Sequence, residues 1–96
     1  MKRAVIAGYS RSPFTMARKG ELIDVKPVNM FAEVVKNLVS KTKVNPADIE
    51  DIIVGCAFQV GEQSFNIGKL TTFLSGMEIH TSGMTVDRWC GSSMEA

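Results

Sequence analysis

Apolar and polar positions along the 96-residue chain fall into short blocks that change period from one block to the next. Arg3–Ala7 is brief, apolar and closed by Gly8, and this predicts a buried strand. Ser10–Glu21 is polar, with Pro13 and Gly20 as breakers, and is expected to be a loop. Met30, Phe31, Val34, Val35, Leu38 and Val39 then recur at helical spacing, predicting a helix from about Pro27 to Lys41. Pro27 suits its first turn, and Lys41 and Lys43 suit the negative end of its dipole. Asn45-Pro46-Ala47-Asp48 resembles an N-cap followed by proline, enough for one short turn.

The next run, Ile52–Phe58, is almost uninterruptedly apolar, as expected of a strand covered on both faces. Gly55 inside it suggests a close backbone approach. Gln59–Ser64 reads as a loop, and Ile67, Leu70, Phe73 and Leu74 give a second amphipathic helix over Asn66–Ser75. Asn66 is its expected N-cap, with Phe65 packing on Leu70 as a hydrophobic staple and Gly76 ending the helix. A third strand, about Met84–Arg88, runs into Trp89-Cys90-Gly91-Ser92-Ser93 and the first turn of another helix. The order β-loop-α-β-α-β implies an α/β fold with parallel strands and right-handed crossovers. A single helical turn does not hold against the nucleation factor of roughly 10⁻³, so the chain is expected to be an incomplete segment of a larger fold.

Composition narrows the function classes. Apolar residues are 45% and charged residues 22%, an ordinary globular balance that excludes a low-complexity tail. Net charge is +1, with a sequence pI near 7.8 and no basic block, which argues against a nucleic-acid partner. No apolar run approaches the roughly 18 residues of a membrane span, and Ala4–Ala7 is too short for a signal peptide's apolar core. Two cysteines far apart and a lone histidine, His80, supply too few ligands for a metal site and too little sulfur for a disulfide scaffold. A soluble protein of the reducing cytoplasm is the expectation.

One segment carries candidate chemistry. Thr85–Met94 is a strand running through a small-residue turn into a helix, the place where α/β sheets present ligands at strand carboxyl ends. Its geometry parallels the nucleophile elbow of hydrolases, with the sulfur of Cys90 in place of oxygen. Helix N-terminal amides favour an anion, here the Cys90 thiolate, and Gly91, Ser92 and Ser93 leave room for an acyl group. Pattern alone leaves a buried, inert cysteine as an equal reading for Cys90, and makes it the preferred reading for mid-strand Cys56. His80, between helix and strand, reads as a surface or interface residue, and Arg11 and Arg88 as solvated or ion-paired.

Thr85–Ala96 resembles the active-site cysteine segment of the thiolase family, the acetyl-CoA acetyltransferases and 3-ketoacyl-CoA thiolases, which share a Val-Asn/Asp-Arg-x-Cys stretch leading into small residues and a helix. Arg11–Phe14, Gly20–Leu22, Asp48–Gly55, and Gly61–Gln63 with Asn66 resemble other stretches of that family, in order along the chain. Asp87 stands where asparagine is common, Ser64 for glycine, Lys69 for arginine and Glu95 for glutamine. The resemblance implies a three-layer thiolase-like βαβαβ unit, residues 1–96 being the N-terminal part of the thiolase N-terminal domain in a larger αβαβα fold.

The resemblance further implies that Cys90 is the nucleophile, carrying the acyl group as a thioester, and that its backbone N–H also serves in the oxyanion hole. Acyl-CoA and coenzyme A would be substrates, with no separate cofactor or metal. A histidine that activates the nucleophile and a second, acid/base cysteine are expected beyond Ala96, and the 96-residue chain alone would not turn over. The family's habits also imply a homodimer or homotetramer. A thiolase-like subunit that binds acyl-CoA or a partner without chemistry is the alternative. A ketoacyl synthase is a third reading, disfavoured by the Arg11–Phe14 and Gly61–Asn66 matches.

Overall fold

The computed structural model describes all 96 residues. Helix α1 spans Pro27–Thr42, strand β1 Asp51–Gly55, helix α2 Ile67–Leu74, strand β2 Ser82–Val86 and helix α3 Ser92–Glu95, with 3-10 turns at Pro46–Asp48 and Gly61–Gln63. The two strands pair in parallel, Asp51 opposite Ser82 through Gly55 opposite Val86. Helix α2 connects them and packs on both strands and on α1, and α3 rests against the end of β1. The architecture is α/β, as the alternation of periods predicts.

Local signals place the boundaries of most elements. Pro27 occupies the first turn of α1, where a missing N–H costs no helical bond. Asn45 caps the 3-10 turn through Oδ1, which accepts the Ala47 N–H at 3.2 Å. Asn66 caps α2 by accepting the Lys69 N–H at 3.3 Å, and Gly76 leaves that helix with a left-handed φ of 73°.

Four expectations need correction. Arg3–Ala7 forms no strand, and Val5 and Ile6 are 81% and 96% exposed. A strand exists only through a ladder partner, and β1 and β2 pair with each other alone. The segment that follows is instead fastened to α1, where Ser10 Oγ donates to Asn37 Oδ1 at 2.9 Å and Lys41 Nζ to the Tyr9 carbonyl at 3.4 Å. Second, β1 is shorter than Ile52–Phe58 and open on one side: Val54 is buried, but Ile53 is 42% exposed. Third, β2 lies two residues earlier than Met84–Arg88, because the chain leaves the ladder at Asp87, after Val86 has accepted the Cys56 N–H at 2.9 Å.

The fourth correction concerns the face of α2. Phe65 and Asn66 both adopt left-handed φ, 59° and 55°, which carries Phe65 away from Leu70 and leaves it 90% exposed, so there is no staple. The helix buries Ile67, Gly68, Thr71 and Thr72, followed by Ser75 at its C-cap, while Phe73 and Leu74 face outward. The hydroxyls hide their polarity by bonding back along the helix: Thr71 to the Ile67 carbonyl at 2.7 Å, Thr72 to Lys69 at 2.7 Å, Ser75 to Thr71 at 2.6 Å. Small residues allow helix and sheet to meet backbone to backbone. A Cβ on Gly83 would lie 2.5 Å from Lys69 Cα, and one on Gly68 would strike the Met84 carbonyl.

Thr85 fixes this contact. Its Oγ1 accepts the Gly68 N–H at 3.1 Å, one of the orphan donors of the first helical turn, and donates to Asn66 Oδ1 at 2.8 Å. Thr85→Val keeps the shape and removes both bonds. Urea unfolding is expected to show a loss of about 1–3 kcal/mol, the cost of stranding a buried donor. An unchanged urea midpoint would contradict this account of how α2 is seated.

Candidate active site

The turn that joins β2 to α3 holds Cys90. The cysteine is exposed, beyond the carboxyl end of a parallel strand, and Cys56, half-buried just beyond β1, is the other free thiol. The turn is built from its own polar side chains. Asp87 Oδ1 accepts the Trp89 N–H at 2.8 Å. Ser92 Oγ accepts the Arg88 N–H at 2.8 Å and donates to the Trp89 carbonyl at 2.7 Å. The Gly91 and Ser92 N–H groups donate to the Arg88 and Trp89 carbonyls at 2.9 and 3.2 Å. Those two amides are therefore engaged within the turn and are not the donors that an incoming oxyanion would use.

Beneath the turn, Gly55 makes room. A Cβ there would strike Ser93 N and the Ser92 carbonyl carbon and stand 2.5 Å from Ser93 Cα. The close approach expected at Gly55 is thus between the end of β1 and the start of α3, and it seats the Cys90 turn on the sheet. A cleft of about 280 Å³ opens alongside, lined by Phe31, Gly55, Cys56, Gln63, Ile67 and Ser93 among others. The larger cleft, about 590 Å³, is lined wholly by residues between Ser12 and Met30 and includes nothing from the Cys90 turn.

The charged side chains that sequence reasoning singled out each have a partner, and only Arg88 belongs to the turn. Arg88 Nε pairs with Glu95 Oε2 at 3.2 Å, and both side chains are largely solvent-exposed, so the pair contributes little to stability. Arg11 lies 5.2 Å from the Tyr9 ring centroid. His80 is exposed and its Nε2 meets the Ala47 carbonyl at 3.1 Å, fastening the approach to β2 onto the 3-10 turn. His80 lies before the start of β2 and Cys90 beyond its end, so the length of this five-residue strand, roughly 16 Å at about 3.3 Å per residue, stands between them. His80 does not serve Cys90 as a base.

The family model for the thiolase N-terminal domain matches residues 4–96. The chain belongs to the thiolase family. Curated relatives agree across its whole length. It is 40% identical over 97 residues to a 3-ketoacyl-CoA thiolase of Colwellia psychrerythraea, a match covering 100% of this chain and 25% of that protein. It is 41% identical over 95 residues to a 3-ketoacyl-CoA thiolase of Psychrobacter arcticus, covering 99% and 24%. The crystal structure of a Bacillus anthracis acetyl-CoA acetyltransferase superposes with a TM-score of 0.84 at 29% identity, over 96% of this chain and 23% of that one. The chain thus spans about a quarter of the length of the curated thiolases it matches.

Within this thiolase segment, sequence reasoning singled out Cys90 and Gly55 but gave Asp87, Ser92 and Thr85 no part in holding the turn or seating α2. A signal for Asp87 was present: an aspartate two residues before a main-chain donor is the Asx-turn pattern. Ser92 shows no such mark, because its partners, the Arg88 N–H, the Trp89 carbonyl and Asp87 Oδ1, are gathered only when the turn closes. No helix in the structure is long and apolar enough to cross a membrane.

Proposed function

We propose that this chain is the N-terminal part of a thiolase-type acyltransferase that moves acyl groups between coenzyme A thioesters through an acyl-thioester on Cys90. The observation that carries the reading is an exposed cysteine at the strand-to-helix turn of a thiolase N-terminal domain. The Cys90 thiolate attacks the thioester or 3-keto carbonyl carbon, forming a carbon–sulfur bond and pushing the π electrons onto oxygen. The backbone N–H of Cys90 donates to that oxyanion. Collapse breaks the bond to the leaving group, either the coenzyme A thiolate or an acetyl-CoA carbanion that takes up a proton. A coenzyme A thiolate, or in condensation an acetyl-CoA enolate, then attacks the acyl-cysteine carbonyl and frees Cys90. Splitting the transfer in this way replaces one difficult encounter by two thioester exchanges.

The base that ionises Cys90 is not His80, so a group outside residues 1–96 supplies it in this reading. Membership of the thiolase family supports association of the protein with copies of itself, as a homodimer or homotetramer. Two unpaired thiols and the bacterial relatives support a cytoplasmic setting.

The test is direct. Full-length protein treated with acetyl-CoA or a 3-ketoacyl-CoA, quenched in acid and digested, is expected to carry an acyl mass on the Cys90 peptide that added coenzyme A removes. An adduct on Cys56 instead, or tight acyl-CoA binding with no adduct, would overturn the proposal, the latter in favour of a non-catalytic binding subunit.

A further inference from the structure

Trp89, immediately before Cys90, has a φ of 47°. A bulky L-residue seldom adopts this left-handed conformation, which persists only where surrounding bonds over-determine it. Here both its main-chain groups are held. Its N–H donates to Asp87 Oδ1 at 2.8 Å, and its carbonyl accepts from Ser92 Oγ at 2.7 Å and from the Ser92 N–H at 3.2 Å. Ser92 is 4% exposed, and the same Oγ accepts the Arg88 N–H at 2.8 Å, so water is not at hand to replace it. The hydroxyl therefore ties residues 88 and 89, on one side of the thiol, to the first residue of α3 on the other. None of these bonds uses the Cys90 side chain.

We infer that Ser92 is a positioning residue for Cys90: its buried hydroxyl, together with the Asp87 carboxylate, locks Trp89 in the left-handed conformation that sets where the Cys90 sulfur and N–H stand. The inference rests on the catalytic reading of Cys90 given above. An alanine at position 92 leaves the Arg88 N–H without its acceptor and releases one of the two grips on the Trp89 carbonyl. The turn then relaxes toward ordinary φ, and the sulfur moves relative to the carbonyl it must attack. A displacement of about 1 Å at a reacting atom costs up to roughly 100-fold in rate.

Ser92→Ala in the full-length protein is expected to lower kcat for acyl transfer about 10- to 100-fold while KM for the acyl-CoA changes by less than about threefold. Its rate of Cys90 alkylation by iodoacetamide, read by peptide mass with Cys56 as internal reference, is expected to shift from that of the wild type. Asp87→Asn keeps an acceptor for the Trp89 N–H and should hold kcat within about threefold, whereas Asp87→Ala should follow Ser92→Ala. Wild-type kcat and alkylation rate in a folded Ser92→Ala protein overturn the inference. If Ser92→Ala does not fold, equal kcat in Asp87→Asn and Asp87→Ala overturns it. A wild type that takes no acyl group at Cys90 defeats the catalytic reading itself, and the alkylation comparison still decides whether Ser92 positions the thiol.

Discussion

Cys90→Ser in the full-length protein is expected to reduce acyl transfer on the order of 10⁴-fold or more, the scale seen when a covalent nucleophile is removed. At 1.36 kcal/mol per decade this is about 5.5 kcal/mol of transition-state stabilisation. The loss is chemical. Cys90 is exposed in this segment, and substitutions at such sites usually change stability by about 0.5 kcal/mol or less. A serine hydroxyl is scarcely ionised near neutral pH and would make an ester where the proposed transfer needs an exchangeable thioester, so both formation and release of the intermediate should suffer. Cys56→Ser provides the contrast. It alters a half-buried thiol beside the small cleft, so its cost should show in the urea midpoint, with kcat within a few fold of wild type. Steady-state rates with matched urea curves separate the two. Retention of a tenth or more of the wild-type kcat in Cys90→Ser would remove Cys90 from the mechanism.

How far the sequence foretold this site depends on which forces are local. Pro27, Asn45, Asn66 and Gly76 act on their own backbone neighbourhoods, and each sits where its chemistry predicts. The α/β alternation was legible from the change of period, and the parallel pairing follows from it, whereas the exposure of Cys90 was not, since pattern alone left a buried cysteine as an equal reading. What failed needed partners remote in sequence. Arg3–Ala7 has the composition of a strand but no ladder to join. Hydropathy periodicity picked Leu70, Phe73 and Leu74 for the buried face of α2, whereas close approach to β2 selected for small size and put Gly68, Thr71 and Thr72 there. A hydroxyl that bonds the preceding turn behaves as a small apolar group, and no hydropathy scale records that. The same blindness hid Ser92, whose four percent exposure and paired bonds arise only in the closed turn.

Gly55→Ala is the second large effect, and two opposed terms set its sign. Inside a strand, alanine in place of glycine ordinarily gains about 0.5–1 kcal/mol by restricting the unfolded chain. Against this, the new Cβ meets the main chain of Ser92 and Ser93, and main chain cannot swing aside as a flexible side chain would. Overpacking of that kind costs about 1–3 kcal/mol, so the net result is expected to be destabilising. The consequence for chemistry is larger than for stability. To relieve the overlap, α3 must lift from the end of β1, and Ser92, which holds the Trp89 carbonyl, moves with it. The Cys90 sulfur is carried along, and kcat is expected to fall about 10- to 100-fold with the nucleophile itself untouched. Gly61→Ala is the matched control: nothing lies within 4 Å of a Cβ there, and its φ of 56° makes the penalty one of backbone conformation, about 1–2 kcal/mol, in the 3-10 turn Gly61–Gln63, which shares no hydrogen bond with the Cys90 turn. Urea midpoints should therefore drop for both glycine variants, while kcat drops for Gly55→Ala only. Equal kcat in the two would mean that the seat of α3 on β1 has no bearing on where the thiol stands.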